Sequence, residues 1–460
     1  MRFLEDLTIS QSVASEGLAA KDLTSWLSFI EGLHPKSIAM GLDRVKLMID
    51  RLRLDPKFPI ITVAGTNGKG STCAMLEKIY QQAGYLVGCY SSPHLVRYNE
   101  RVRVSGMEVS DNDLCAAFMA VDAARVMNEA PIPLTYFEVG TLAAMWHFAK
   151  IGVEVAILEV GLGGRLDAVN AFEPSCTVVT SVDLDHQEFL GNTRESIGFE
   201  KAGIYRSSIP AICGDANPPA SLVAYAHEIH ADLMCLHRDF DYLLSANGWQ
   251  YTTYGKTLYS LPLPAMQGKY QLNNAACAIA AVTSLQSKLP VDSTAIKNAM
   301  QLVSLAGRFQ TLSRFSAKPY TPWVILDVAH NPHAAKALAE NLQAINAQQT
   351  KGHPGRTFAV FAMLADKDIK GVIEAVKHEI DGWYVADIHH ARGALAKDLA
   401  EIITSVMPNV GVKIFNSADY AYQQACIDIQ ACMEVNENDK IIVFGSFFTV
   451  SAIMQFLSNK

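Results

Sequence analysis

Residues 59–84 read PIITVAGTNGKGSTCAMLEKIYQQAG, and the order of their parts decides the fold. The apolar run at 59–64 is continuous rather than alternating, which suits a strand buried on both faces and hence a parallel sheet flanked by helices. After the loop, Met75, Leu76, Ile79, Tyr80 and Ala83 recur at helical spacing, and Gly84 supplies a stop. Backbone N–H groups and the positive end of the helix therefore converge on GTNGKGS (65–71), which makes an anion cradle. Glycines at 65, 68 and 70 let the main chain approach phosphate oxygens, and Lys69 can reach the β and γ groups. The strict Walker spacing fails, because Val63 stands where the first glycine belongs and Gly70 separates Lys69 from Ser71. The bland alternative, a glycine-rich turn with a surface lysine, fits the strand–loop–helix context poorly.

Similar apolar runs continue outward. YLVGCYSS (85–92), VEVAILEVG (153–161), CTVVTSVD (176–183) and IPAICGD (209–215) extend the first series. A second series holds WVILDVAH (323–330), RTFAVFAML (356–364), GWYVADI (382–388), VKIF (412–415) and KIIVFGSF (440–447). Helical patterns such as NPHAAKALAENLQAI separate them, so the chain reads as α/β throughout. Periodicity fails over AGRFQTLSRFSAKPYTP (306–322), which predicts a parallel-sheet nucleotide-binding domain over 1–305 and a smaller Rossmann-like α/β domain over 306–460. Residues 216–270 carry turn-rich, strand-like pieces and read as a β-rich insertion that completes the first domain.

With 460 residues, two or three domains are expected. Half of the residues are apolar and 18% are charged, ample for buried sheets, while a net charge of −8 argues against a general nucleic-acid binder. Nine cysteines without a C-x-x-C pair indicate neither a disulfide framework nor zinc, and point to a reducing cytoplasm. The N-terminal MRFLEDLTISQSVASEG is too acidic for a secretory signal, and no run is long enough to span a membrane.

Other stretches carry polar residues that admit more than one reading. Glu159 ends an apolar run where ligands of parallel sheets gather, and Gly161, Gly163 and Gly164 permit a tight turn beside it. Thr135 and Glu138 have the spacing of a capping box, and SSPH (91–94) has that of an ordinary turn. His186 reads from its chemistry as a core or capping histidine, since magnesium prefers oxygen ligands. Lys201 beside Glu200 reads as a solvated helix lysine.

Taken together, V-A-G-T-N-G-K-G-S (63–71) resembles the phosphate loop of the Mur ligases and of their folate-specific relatives, and YSSPHLVRYNERVRV (90–104) resembles the folylpolyglutamate synthase signature. LEVGLGGRLDAVN (158–170), SVDLDHQEFLGNTRESIGFEKAGI (181–204), QLNNAACAIAA (271–281) and ILDVAHNPHA (325–334) follow in the order of that family. The resemblance implies that Thr66, Asn67, Gly68, Lys69, Gly70, Ser71, Arg308 and Asp327 contact ATP, with Asn274 or else Asn273 at the adenine. It implies two magnesium ions held by Ser92, Glu159, His186 and Lys201, the lysine as a carbamate, and it allows a monovalent cation besides. A carbamate requires a lysine whose pKa burial or neighbouring charge has lowered. Ala39, Met40, Gly41 and Leu42, with Thr135, Tyr136, Phe137 and Glu138 and with Leu166, Asp167 and Ala168, are implied at a pteroate. Tyr136 and Phe137 suit stacking on a flat pterin. Lys69, Lys201 and His330 are the implied catalytic set, and His330 and Ser446 are suited to touch phosphate or incoming glutamate.

The implied activity is ATP-dependent ligation of L-glutamate to dihydropteroate and to reduced folates through an acyl phosphate, by a cytoplasmic monomer whose partners are small molecules. ATP contacts in both halves imply a cleft that closes and excludes water. Polyglutamylation alone, a Mur-type ligase for a peptidoglycan precursor, and a regulatory nucleotide-binding protein are the rivals. The chain shows no separate N-terminal nucleotide domain of the Mur type, and mere ATP binding would not need the full metal set.

Overall fold

A computed structural model describes residues 21–36, 38–127, 130–312, 322–348, 355–431 and 438–459. It divides into two compact units, one of Met1–Lys57 with Val109–Gly152 and one of Phe58–Glu108 with Val153–Lys460. The acidic N-terminal segment and residues 313–321 of the expected linker lie outside the described residues.

The smaller unit is helical: α1 (Leu23–Glu31), α2 (Asp43–Leu52), α4 (Asp111–Arg125) and α5 (Tyr136–Ile151). Three of the four begin on a residue whose side chain accepts from the first turn, Asp22 from Ser25 N, Ser110 from Asp113 N and Thr135 from Glu138 N. Apolar faces then bring α4 against α1, α2 and α5, with Trp26 beside Phe118. Arg51 ties α2 to the end of α4 by donating Nη1 to the carbonyls of Ala124 and Arg125, both at 3.1 Å.

In the larger unit an eight-stranded sheet comprises β1 (Ile60–Ala64), β2 (Val87–Tyr90), β3 (Val102–Val104), β4 (Met107–Glu108), β5 (Val155–Glu159), β6 (Cys176–Val179), β7 (Pro210–Cys213) and β8 (Asp232–Cys235). Its order is β4-β3-β2-β5-β1-β6-β7-β8, parallel from β2 to β8. β1 is central and buried at every position, as its unbroken apolar run requires. Around it pack α3 (Lys69–Gln82), α6 (Gln187–Leu190), α7 (Arg194–Ala202), α8 (Ala220–Glu228), α9 (Lys269–Ser284) and α10 (Ser293–Leu302). The expected stop of α3 takes a definite form: Gly84, at φ +91°, donates to the Gln81 carbonyl while Tyr85 N reaches that of Tyr80. The β-rich insertion is an antiparallel sheet, β9 (Phe240–Ser245), β10 (Gly248–Thr253) and β11 (Lys256–Leu261).

A six-stranded sheet follows, with β12 (Gln310–Leu312), β13 (Trp323–Leu326), β14 (Thr357–Phe361), β15 (Gly382–Ala386), β16 (Gly411–Phe415) and β17 (Lys440–Phe444) in the order β12-β13-β17-β14-β15-β16. All pairs but β12–β13 are parallel, and separate apolar clusters cover its two faces. The α/β architecture agrees with the expectation from sequence. The break expected near residue 305 falls between the two large sheets, inside the larger unit. β3, β4 and β12 escaped sequence reading because they are short and lack continuous apolar runs, whereas β8 falls within the stretch read as strand-like pieces; Arg103 of β3 is spent instead on an ion pair with Glu77, at 2.8 Å.

Candidate active site

A cavity of about 1120 Å³ lies in the larger unit, over the C-terminal ends of β1, β5 and β6 and bounded on the other side by the loop after β13. The loop after β1 is fastened to the one after β6. Thr66 N donates to the Ser181 carbonyl at 2.8 Å, and the Thr66 hydroxyl donates to that of Asp183 at 3.0 Å. Thr180 and Ser181 hydroxyls both donate to the Asn67 carbonyl, at 2.6 and 3.0 Å. So close is this fit that a Cβ on Gly65 would stand 1.9 Å from Thr180 Oγ1. Gly68, at φ +87°, is the N-cap of α3 and offers no side chain to its first turn, so the donors there stay turned to the cavity. Lys69 folds back across the loop and donates Nζ to the carbonyls of Gly65 and Thr66, at 3.0 and 3.3 Å.

Around that loop gather the other expected residues. Glu159 ends β5, is buried, and accepts from Ser92 N at 3.1 Å. Burial raises its pKa against the opposing pull of Lys69, the Ser92 N–H and Arg308. His186 takes a left-handed conformation at φ +50° between β6 and α6. Burial, with help from Lys367, Lys69 and His330 and against the pull of Asp185, lowers its pKa to about 4, so the ring stays neutral and can act as a ligand. Lys201 on α7 is only 3% exposed, which corrects its reading as a solvated helix lysine. Burial first and the charge of Lys69 second lower its pKa to about 7, opposed by Asp185.

From the second sheet, Arg308 lies over the Phe447 ring at 5.3 Å, and Asp327 accepts from Phe309 N and Ala329 N, both at 2.8 Å. Burial lowers the Arg308 pKa and raises that of Asp327, while the attraction of the two for each other opposes both shifts. His330 Nδ1 donates to the Val328 carbonyl, 2.9 Å away, and Nε2 lies 3.8 Å from Asp185. Ser446 lines the cavity while its hydroxyl caps the final helix, Phe447–Ser458, by accepting from Thr449 N. Of the two asparagines on α9, Asn274 sits against the phosphate loop, where a Cβ on Gly68 would meet its Oδ1 at 2.4 Å. Asn273 also lines the cavity, but its Oδ1 accepts from the Tyr242 hydroxyl.

Several participants were not singled out from sequence. Asp185 receives Lys367 Nζ at 2.6 Å; although burial opposes it, His330, His186 and Lys367 hold its carboxyl below the usual range. Asn67 exchanges amide hydrogen bonds with Asn331 at 3.2 and 3.1 Å and meets His333 Nδ1 at 2.9 Å, so the phosphate loop is tied to the loop after β13. D-H at 185–186 and H-N-P-H at 330–333 were visible as polar pairs at strand ends, but single residues there carry no signal of which partner they meet.

Expected pteroate residues do not line this cavity. Asp167, in the larger unit, accepts from the N–H groups of Gly161, Leu162 and Val169, and burial raises its pKa to about 7 against those donors. Leu166 and Ala168 flank it in the same turn. In the smaller unit Ala39, Met40, Gly41 and Leu42 lead into α2, and Thr135, Tyr136, Phe137 and Glu138 open α5. Among the described residues, no group of three or more His, Cys, Asp or Glu could hold a metal. A carboxylate, a hydroxyl, a neutral imidazole and a buried amine instead surround the cavity.

A parallel sheet whose glycine loop feeds an uncapped helix, followed by a second parallel sheet that brings an arginine–aspartate pair to the same cavity, defines a two-part nucleotide-dependent ligase of the Mur class. Family profiles agree: Mur ligase middle domain matches residues 63–282, and Mur ligase, glutamate ligase domain matches 307–447. The dihydrofolate synthase/folylpolyglutamate synthase of Escherichia coli is 44% identical over 443 residues, 96% of this chain and 97% of its own. By that similarity the chain belongs to the dihydrofolate synthase/folylpolyglutamate synthase family of ATP-dependent ligases. The solved structure of E. coli FolC with DHPP and ADP is 43% identical, with a TM-score of 0.86, covering 96% of this chain and 99% of that one. A bifunctional folylpolyglutamate synthase/dihydrofolate synthase with Mn, AMPPNP and L-glutamate bound is 41% identical, with a TM-score of 0.84, covering 96% and 99%. No helix among the described residues is long and apolar enough to cross a membrane.

Proposed function

We propose that this chain uses ATP to join L-glutamate to dihydropteroate and to reduced folates. The observation that carries the reading is the meeting, in one cavity, of the open start of α3 and Lys69 with Glu159, His186 and Lys201. A carboxylate oxygen of the acceptor attacks the γ-phosphorus and ADP leaves, giving an acyl phosphate. The glutamate amine then attacks the acyl carbon, inorganic phosphate leaves, and the amine's extra proton passes to solvent or a nearby base. No protein nucleophile is required, and positioning plus charge does most of the work.

Thr66, Asn67, Gly68, Gly70 and Ser71 would hold the phosphates through the loop and first turn of α3, Asn274 the adenine, and Arg308 and Asp327 the nucleotide from the second sheet. Lys69 would leave its two carbonyl partners for the transferring phosphoryl. Ser92, Glu159, His186 and Lys201 fit two magnesium ions if the lysine is a carbamate, because the donor set otherwise has a single carboxylate. Bound metal would offset charge on the phosphoryl oxygens. Lys201 is suited to that modification: at its lowered pKa a large fraction of the amine is neutral near pH 7 and can take up carbon dioxide. His330 and Ser446 would meet phosphate or glutamate. Ala39–Leu42 and Thr135–Glu138 carry a proposed pteroate role, in which Tyr136 and Phe137 would stack on the pterin while Thr135 and Glu138, closing the capping box, would hold the start of α5 in place; Leu166, Asp167 and Ala168 carry a proposed pteroate role too. We also propose working parts at 1–305 and 306–460, a monomer, and a cytoplasmic location.

Purified protein with ATP, magnesium and glutamate, given separately dihydropteroate, a reduced folate or a peptidoglycan precursor, tests the reading by product mass. A gain of one glutamate on the first two is expected. A gain on the reduced folate alone would leave only polyglutamylation, and a gain on the precursor alone would overturn the folate reading.

A further inference from the structure

Glu138 belongs to the segment given the pteroate role above, and within the smaller unit its carboxylate has a full set of partners. Oε1 accepts from Arg44 Nε and Nη2 at 3.1 and 2.8 Å, and Oε2 accepts from Arg44 Nε at 3.3 Å and from Thr135 N at 2.7 Å. These four contacts match what a carboxylate can accept, and its side chain is only 4% exposed. The same Arg44 Nη2 also donates to the carbonyl of Ala39 at 2.7 Å. One planar guanidinium therefore joins the start of α5 to the segment before α2.

That segment has little else to fix it. Residues 38–41 lie in neither helix nor strand, and the Arg44–Ala39 bond is their one hydrogen bond to another described residue. Leu42, the N-cap of α2, makes no side-chain cap. Tyr136 and Phe137, by contrast, follow directly on a doubly closed capping box and are held by a regular helix. Residues 38–42 and Tyr136 and Phe137 are all half-buried, and the guanidinium bridges the two segments.

We propose that Arg44 is a positioning residue for pteroate selection, holding residues 39–42 in place relative to Tyr136 and Phe137 through its simultaneous grip on Glu138 and the Ala39 carbonyl. This rests on the pteroate role proposed for those two segments. A rigid two-point grip needs the fork of arginine, since the single nitrogen of a lysine cannot reproduce a planar bidentate contact and a third bond together. Among the described residues the hydrogen bonds of Arg44 go to Glu138 and the Ala39 carbonyl, both within the smaller unit, so its loss should be felt by the pteroate alone.

Steady-state kinetics on the full chain test this with Arg44→Met and Arg44→Lys. For R44M the expected result is a KM for dihydropteroate raised about tenfold or more, with kcat and the KM for ATP within about twofold of the parent. R44K should fall between the two. A folded R44M with an unchanged dihydropteroate KM would overturn the proposal, as would parallel changes in every constant, which mark general destabilisation. Should R44M fail to fold, R44K decides alone: an unaltered dihydropteroate KM refutes the positioning role. If the parent itself does not ligate dihydropteroate, the functional reading fails first; fluorescence titration of dihydropteroate into parent and variant then still reads Arg44, equal affinities counting against it.

Discussion

At the start of α3, Gly68 provides no capping side chain and the free N–H groups face a cavity, whereas α5 starts on Thr135, whose hydroxyl accepts from Glu138 N while the Glu138 carboxylate accepts from Thr135 N. Both ends carry the positive end of a helix dipole. At α5 the Glu138 N–H is satisfied by the Thr135 hydroxyl, and the Glu138 carboxylate is paired with Arg44. The α3 end is left for a ligand, with Lys69 adding charge beside it. Ligand chemistry thus belongs where the fold withholds a cap, and where it supplies one the helix start becomes a rigid support. Fast, direct effects on turnover are expected from breaking the first, and smaller effects on stability from breaking the second.

The largest expected effect is at Lys69. Lys69→Ala removes the one cation placed on the α3 loop itself, and should lower kcat about 10³-fold with little change in thermal midpoint, since the ammonium binds only two local carbonyls in the resting chain. Phosphate release with saturating substrates checks it; a loss under tenfold would mean that the open end is not where phosphoryl transfer occurs.

Next comes Lys201→Ala, expected to cost about 10²-fold in kcat and to be partly restored by acetate or formate, small carboxylates that can stand in for a carbamate. Full activity without them would remove the modification from the mechanism. The same residue gives a pH test of known sign. Its folded pKa, about 7, lies below the unfolded value of 10.5, so between those limits the unfolded chain binds more protons and stability rises with pH. Below pH 7 both states are protonated and the burial penalty is fully present. Lys201→Met, without bicarbonate, should therefore raise the thermal midpoint at pH 7 and flatten its rise toward pH 10; an unchanged slope in the variant would show that the lysine is not buried as an amine.

How much of this contrast was legible in the sequence depended on the range of the signal. The α3 loop was readable because strand, glycines, lysine and helix are consecutive and each constrains the next. The capping box at 135–138 was readable for the same reason. The burial of Lys201 was not: EKAG looks solvated until α7 is packed against the fold, and desolvation is a property of the tertiary environment. Nor could Arg44 be paired with Glu138 across 94 residues, or Lys367 with Asp185 across 182, since nothing local to either marks the other. The resemblance to a family supplied roles for Ser92 and His186 that spacing alone left as turn and cap.

Within the α3 loop a subtler break is Gly68→Ala. A Cβ there would be strained at φ +87° and would meet Asn274 Oδ1 at 2.4 Å, so the variant must displace either the loop or the asparagine. About a tenfold rise in the KM for ATP is expected, with the dihydropteroate KM unaffected. If both constants rose together, the loop would be supporting the whole cavity rather than the nucleotide.

The smallest effect is expected at the closed end. Thr135→Ala deletes the hydroxyl that accepts from Glu138 N but leaves the Glu138 carboxylate bound to Thr135 N, which the backbone supplies whatever the side chain, and to Arg44. The cost should therefore be that of one N-cap, about 1 kcal/mol, read as a modest fall in the denaturant midpoint. Because Arg44 still holds both segments, the KM values for ATP and for dihydropteroate should stay within about twofold. A tenfold loss of pteroate affinity in T135A would instead assign the hydroxyl a direct contact with ligand, and the two helix starts would then differ in which ligand they serve rather than in whether they serve one.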